Sequence, residues 1–221
     1  MFVDPDGENP VFSSNGMFLG CTSEGYTGQI YIYNFNADLP EDEILDVSKL
    51  SDYSIGELCN FNGVSSMDDV ELSGDALSNI WTHVVKSYEG NDVLGLTFSI
   101  NTISDSRISY HKANAGETYN WETSHEQKTI DGTGLYTNYY ESTVENLQSS
   151  LISHEWFSHL MNNYNDGNKN HRVAYENVIN NSDLWEKTTD NYKYFVLRSL
   201  YEYTKKETGA RIKKTYKKYE K

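Results

Sequence analysis

Three of the chain's six histidines lie between Leu151 and Glu176, in the run Leu-Ile-Ser-His-Glu-Trp-Phe-Ser-His-Leu-Met followed, after a polar link, by Asn-His-Arg-Val-Ala-Tyr-Glu. His154 is followed at once by Glu155, and His159 stands on the same predicted helix. Hydrolysis at a zinc ion needs neutral imidazoles converging on one point, with a carboxylate beside the water to be activated. The stretch holds both kinds of group, so Zn2+ is the expected cofactor, with His154 and His159 as ligands and Glu155 as general base.

The spacing constrains how these residues meet. Histidines four apart on an α-helix are separated by about 40° and face one ion, whereas five apart they are separated by about 140°. A single-turn π-bulge absorbs one extra residue, and such bulges are enriched at functional sites. A local π distortion is therefore an expectation of the metal reading. The pattern resembles the His-Glu-x-x-x-His motif of the dipeptidyl peptidase III family of zinc peptidases, over six residues. That family usually carries Gly where this chain has Ser158.

A third ligand is expected from the next element. His171 opens a second predicted helix, His171 to Asn180, and a turn-rich link containing Asn162, Asp166 and Gly167 can double the chain back. Glu176 is the alternative, because many zinc peptidases take a glutamate from the second helix. Glu155 and His159 are four apart and form another candidate ligand pair, which would remove Glu155 from acid–base work. Tyr175 is the candidate to steady an oxyanion. The simpler alternative is that the three histidines and Glu155 hydrogen-bond one another inside a core, since buried charge is tolerated when paired.

The elements that must position these groups can be read from periodicity. Ser142 is an expected N-cap and Glu145, three residues on, completes a capping box, opening a helix to about Asn163. Val144, Leu147, Leu151, Ile152, Trp156, Phe157, Leu160 and Met161 surround that helix with apolar side chains, which predicts an internal position. Upstream, Gln29 to Asn34 alternates as a strand does. Leu72 to Tyr88 carries Leu77, Ile80, Trp81, Val84 and Val85 at helical spacing, with Ser73 or Asp75 near its start. Val93 to Thr102 and Arg107 to Lys112 read as two strands across a turn at Ser104 to Ser106, and Lys128 to Tyr140 as a third. Such strands ahead of a metal helix would let an edge strand pair with an extended substrate. A cap at Asn181 to Asp183 starts a helical turn, and a last helix runs from Asp190 to Thr208 before Gly209. Residues 37–69 are acidic and irregular. His83, His111 and His125 are expected to be structural or exposed. The expected fold is α+β and zincin-like, a small antiparallel sheet preceding a metal-bearing helical region.

At 221 residues with a net charge of −15, the chain has room for one substantial domain. That charge argues against a nucleic-acid partner, since phosphate contacts need Lys and Arg. Nine of the eighteen basic residues nevertheless lie from Arg198 onward, which suits a solvated or helical end. No apolar run reaches the roughly 20 residues of a membrane span, and no signal peptide is recognisable. The two cysteines, Cys21 and Cys59, define no disulfide framework.

The start of the chain carries a second resemblance. Phe2-Val3-Asp4-Pro5-Asp6-Gly7-Glu8-Asn9-Pro10 is similar to the junction that closes the core of Rhs/YD-repeat proteins. Gly16-Met17-Phe18-Leu19-Gly20 and Gly25 to Tyr33 resemble the connector that follows it in bacterial polymorphic toxins. The resemblance implies a division into residues 1–35, junction and connector, and residues 36–221, a metallopeptidase toxin domain. It also implies secretion or delivery into a competing cell as the tail of a larger protein, and a cognate immunity protein as partner. The expected activity is zinc-dependent hydrolysis of a protein or peptide substrate. A metal-dependent nuclease toxin and a non-enzymatic binding module with structural histidines are the alternatives.

Overall fold

A computed structural model describes residues 9–23, 28–36, 38–40, 43–70, 72–88, 96–100, 108–112, 117–119, 141–161 and 168–208. For the strands within 96–119, and for positions 155, 156, 159–161, 168, 182, 207 and 208, the description covers the backbone alone. The Asp4 to Gly7 junction, the Lys128 to Tyr140 strand, His125, the Asn162 to Gly167 link, Gly209 and the basic residues from Arg211 onward lie outside the described residues.

The chain begins with a hairpin. Strands β1 (Pro10–Ser13) and β2 (Phe18–Cys21) pair antiparallel around Asn15-Gly16. Gly16 takes φ +81°, and its amide donates to the Ser13 carbonyl at 2.8 Å, closing the turn. Glycine suits this position because a side chain is strained at positive φ. β3 (Tyr31–Tyr33) lies parallel to β1, and β4 (Val64–Ser66) runs antiparallel to β3, giving a sheet in the order β2-β1-β3-β4. This four-stranded sheet, which the sequence reading did not anticipate, is mixed, since β3 runs parallel to β1. A second sheet of β5 (Leu96–Ile100), β6 (Ile108–Lys112) and β7 (Glu117–Tyr119) is antiparallel throughout. Its first two strands fall within the expected pair.

Residues 43–69, irregular to the eye in the sequence, form short elements. A 3-10 turn at Val47–Asp52 leads to α1 (Ile55–Leu58), which is opened by a reciprocal capping box between Ser54 and Glu57. Helix α2 (Gly74–Lys86) starts where the Ser73 hydroxyl accepts from the Ala76 amide at 3.2 Å. Its expected apolar face is the one it buries: Leu77, Ile80, Trp81, Val84 and Val85 are 0–2% exposed. That face packs with Phe12, Ile30 and Ile32 of the first sheet and with Val144, Leu147, Leu151 and Ile152. Phe12, Phe18, Ile30 and Ile32 therefore share one core with the helices. At roughly 25 cal/mol per Å² of apolar surface, this shared burial is what holds sheet and helices together.

The helix carrying the histidines is entered through the same sheet. Residues 28–30 bond to 142–144: Gly28 and Ser142 carbonyls accept from Val144 and Ile30 amides at 2.8 and 3.2 Å. The expected Ser142 cap is corrected by one residue. Thr143 caps α3 (Val144–Gln148), accepting from the Asn146 amide at 3.1 Å. Glu145 does not close a capping box; its carboxylate accepts from the Gly28 amide at 3.0 and 3.2 Å. A backbone donor from the segment leading into β3 has displaced the local one. After Gln148 the helix continues as a π-helix over Ser149–Met161. Helices α4 (Asn168–Asn180), α5 (Ser182–Trp185) and α6 (Asp190–Thr208) follow, with α4 packed against both the π-helix and α6. Among the described residues no helix is long and apolar enough to cross a membrane.

Candidate functional site

The π-helix resolves the spacing problem in the backbone. In its i→i+5 hydrogen-bond ladder, residues five apart are separated by one turn, as residues four apart are in an α-helix. His159 therefore stands one turn beyond His154 on the helix backbone. The expected distortion was a single turn; the observed one covers 13 residues. Side chains agree with the backbone. Ser158, fully buried, donates its hydroxyl to the Ser153 carbonyl, five residues back, at 2.9 Å. In an α-helix a serine reaches the third or fourth carbonyl back instead.

Helix α4 and the residue that follows it, Asn181, lie against this segment and fasten it. The Asn177 side-chain amide donates to Ser158 Oγ at 3.0 Å, and that of Asn181 donates to Ser153 Oγ at 3.0 Å. Each of these serines immediately precedes a histidine, Ser153 before His154 and Ser158 before His159.

Three of the expected site residues come together. His154 is 7% exposed; its ring centre lies 5.7 Å from that of His171 and 4.4 Å from that of Tyr175. His171 and Tyr175 sit one turn apart on α4, with ring centres 6.4 Å apart. The Nδ1 atoms of both histidines are withdrawn from solvent. Two imidazoles on one tetrahedral zinc, with bonds of about 2.0–2.1 Å, have ring centres roughly 5 Å apart, a spacing close to the one between His154 and His171. Imidazole nitrogens are also a suitable donor set for zinc.

Glu176 occupies a different side of α4. Its carboxylate pairs with Arg172 one turn earlier, and the Glu176 side chain is 42% exposed. The side chains of Glu155 and His159 lie outside the described residues. Among the side chains that are described, no group of three His, Cys, Asp or Glu is gathered.

Tyr203 of α6 was not anticipated. Its ring stacks on His171, with centres 4.8 Å apart and planes at 12°, and lies 5.9 Å from Tyr175. Phe195 meets the edge of Tyr175 at 6.2 Å. Aromatic walls of this kind fix ring orientation and exclude water from one side of the cluster. Nothing local marks Tyr203 as special in a chain with 18 tyrosines. Asn177 and Asn181 carry a weak signal, their separation of four, and the serines a stronger one: the dipeptide Ser-His recurs after five residues.

His83, by contrast, belongs to the packing of α2 on the hairpin. It stacks on Phe18 at 4.2 Å and meets the edge of Phe12 at 5.5 Å. Burial, aided by the Lys86 charge, pushes its pKa below the usual histidine value. A separate cleft of about 400 Å³ is lined by Glu43, Tyr53, Glu57, Asn60, Phe61 and Asn62, away from the histidines.

Comparison with known protein families, with curated proteins and with solved structures returns no match.

Proposed function

We propose that the chain is a zinc-dependent hydrolase of peptide bonds, with His154, His159 and His171 as metal ligands and Glu155 as general base. The observation that carries this reading is the π-helix of Ser149–Met161, which sets His154 and His159 one turn apart, where an undistorted α-helix would turn them from each other. Support also comes from His171, whose ring centre is 5.7 Å from that of His154. Glu176, paired with Arg172, is the weaker candidate for the third ligand.

Zinc held there would supply Lewis acidity, polarising a carbonyl oxygen and acidifying a water molecule near neutral pH. Glu155 takes the proton of the attacking water and delivers it to the leaving amine. Tyr175, beside His154, is the hydrogen-bond donor to the developing oxyanion. The zincin-like fold belongs to the same proposal, as does an edge strand of the second sheet as the seat of an extended substrate. So does the biological role: a toxin tail delivered into a competing cell and neutralised in the producer by an immunity protein, on the strength of the resemblance at the chain's start.

Metal analysis of the purified protein is expected to find about one zinc per chain. Glu155→Gln is expected to keep the zinc and to slow cleavage of a dye-labelled casein by about 10²–10⁴-fold. Loss of the metal from Glu155→Gln would make Glu155 a ligand and end its role as base. A zinc-free protein that cuts DNA or RNA instead would replace the peptidase reading with a nuclease.

A further inference from the structure

We infer that Asn177 and Asn181 are positioning residues that hold the histidine helix in its π register, an inference that rests on the metal reading for its functional consequence. Asn177 is in the last turn of α4 and Asn181 immediately follows that helix, its amide bonded back to the Asn177 carbonyl; Ser153 and Ser158, which they grip, are one π-turn apart on the facing helix. The bonds form a chain with consistent polarity. Asn177 donates to Ser158 Oγ, leaving the Ser158 proton for the Ser153 carbonyl five residues back. Asn181 donates to the hydroxyl of that same Ser153.

The register matters because π geometry is rarely sustained. Relaxation to an α-helix would carry Ser158 roughly 100° round the axis relative to Ser153. Both hydroxyls are buried, Ser158 at 0% and Ser153 at 3% exposure, so neither could exchange a lost partner for water. The grip therefore selects the wider turn. Because each gripped serine is followed by a histidine, it also sets the phase of His154 and His159. The Ser158 hydroxyl, present where the resembling peptidase family usually has Gly, thereby takes on a role in this chain.

The test uses the full chain and isosteric changes. Asn177→Asp keeps the shape but cannot donate to Ser158, and Ser158→Ala removes the hydroxyl that joins the chain. Structures of both variants and Zn2+ titration by calorimetry are compared with wild type. Val196→Ala serves as a control, a buried α6 change that lowers stability without touching these bonds. Expected are loss of the i→i+5 ladder between Ser153 and Ser158, zinc binding about 10–100-fold weaker in the two variants, and wild-type affinity in the control. A ladder that persists in both variants overturns the inference. Should either variant fail to fold, the other is read in the same way, with Asn181→Asp beside it. A wild-type protein that binds no zinc would sink the metal reading, while the variants' helix register would still decide the role of the asparagines.

Discussion

His83 shows how a single titratable residue couples packing to pH. Its imidazole is stacked between hairpin and helix, and burial disfavours the charged form more than Lys86 does. With a folded pKa below the unfolded value of about 6.5, the folded chain resists protonation. Nothing is lost above that pH; stability falls as pH drops through the unfolded value and levels off below the folded one. Thermal melts of wild type and His83→Gln at pH 7.5 and 5.5 are expected to show a larger acid-induced drop in Tm for wild type. An equal drop would mean that His83 is not the group responsible. Among the site residues, the types and positions of His154, His171 and Tyr175 were legible, because histidines are few and the two predicted helices were well marked. Tyr203 was not legible, since its contact with His171 joins residues 32 positions apart in the chain.

At the scale of elements, the hairpin and α2 are fitted through a glycine. A Cβ added at Gly16 would run into the Ala76 carbonyl of α2, at a φ of +81° that side chains rarely adopt. Gly16→Ala is therefore expected to cost about 1–3 kcal/mol, read as a fall in the urea midpoint without a change of slope. An unchanged midpoint would show that the hairpin can move off α2 without loss. Most of α2 and α6 was legible in sequence because an amphipathic face repeats along either helix. The α3 start was misplaced by one residue because Glu145 found the Gly28 amide, a partner that local spacing does not reveal.

For the molecule as a whole, the helices of the candidate site divide between two apolar clusters. Val144, Leu147, Leu151 and Ile152 belong to the cluster of Trp81 and Phe12, whereas Val178, Trp185, Tyr192 and Val196 form another around α4 and α6. His154 on one body and His171 on the other meet between these clusters. A metal joining them would link both to the folded state, since an ion that binds only the native chain stabilises it by mass action. At a hundredfold excess over Kd, the gain is about 2.7 kcal/mol, or a rise in Tm of roughly 5–10 °C for a chain of this size. Added EDTA is expected to reverse that rise, and lowering the pH below about 6 to weaken it, because protonated imidazoles release zinc. A Tm indifferent to both zinc and EDTA would count against the shared ion.

The sequence by itself determined which groups are available for chemistry, two marked helices to carry them and an acidic overall charge, because residue types, capping residues and periodicity are local properties. It also contained the π spacing, written twice in Ser-His pairs five residues apart. Only the tertiary structure decided that the helix adopts that spacing, since the choice between α and π turns rests on hydroxyls buried against α4 and on asparagines 19 and 28 residues further along the chain. It decided as well that Pro10–Ser13, Phe18–Cys21, Tyr31–Tyr33 and Val64–Ser66 build one sheet that shares a core with α2 and α3, because pairing between distant strands and burial in a shared core are set by the folded chain rather than by any one stretch of it.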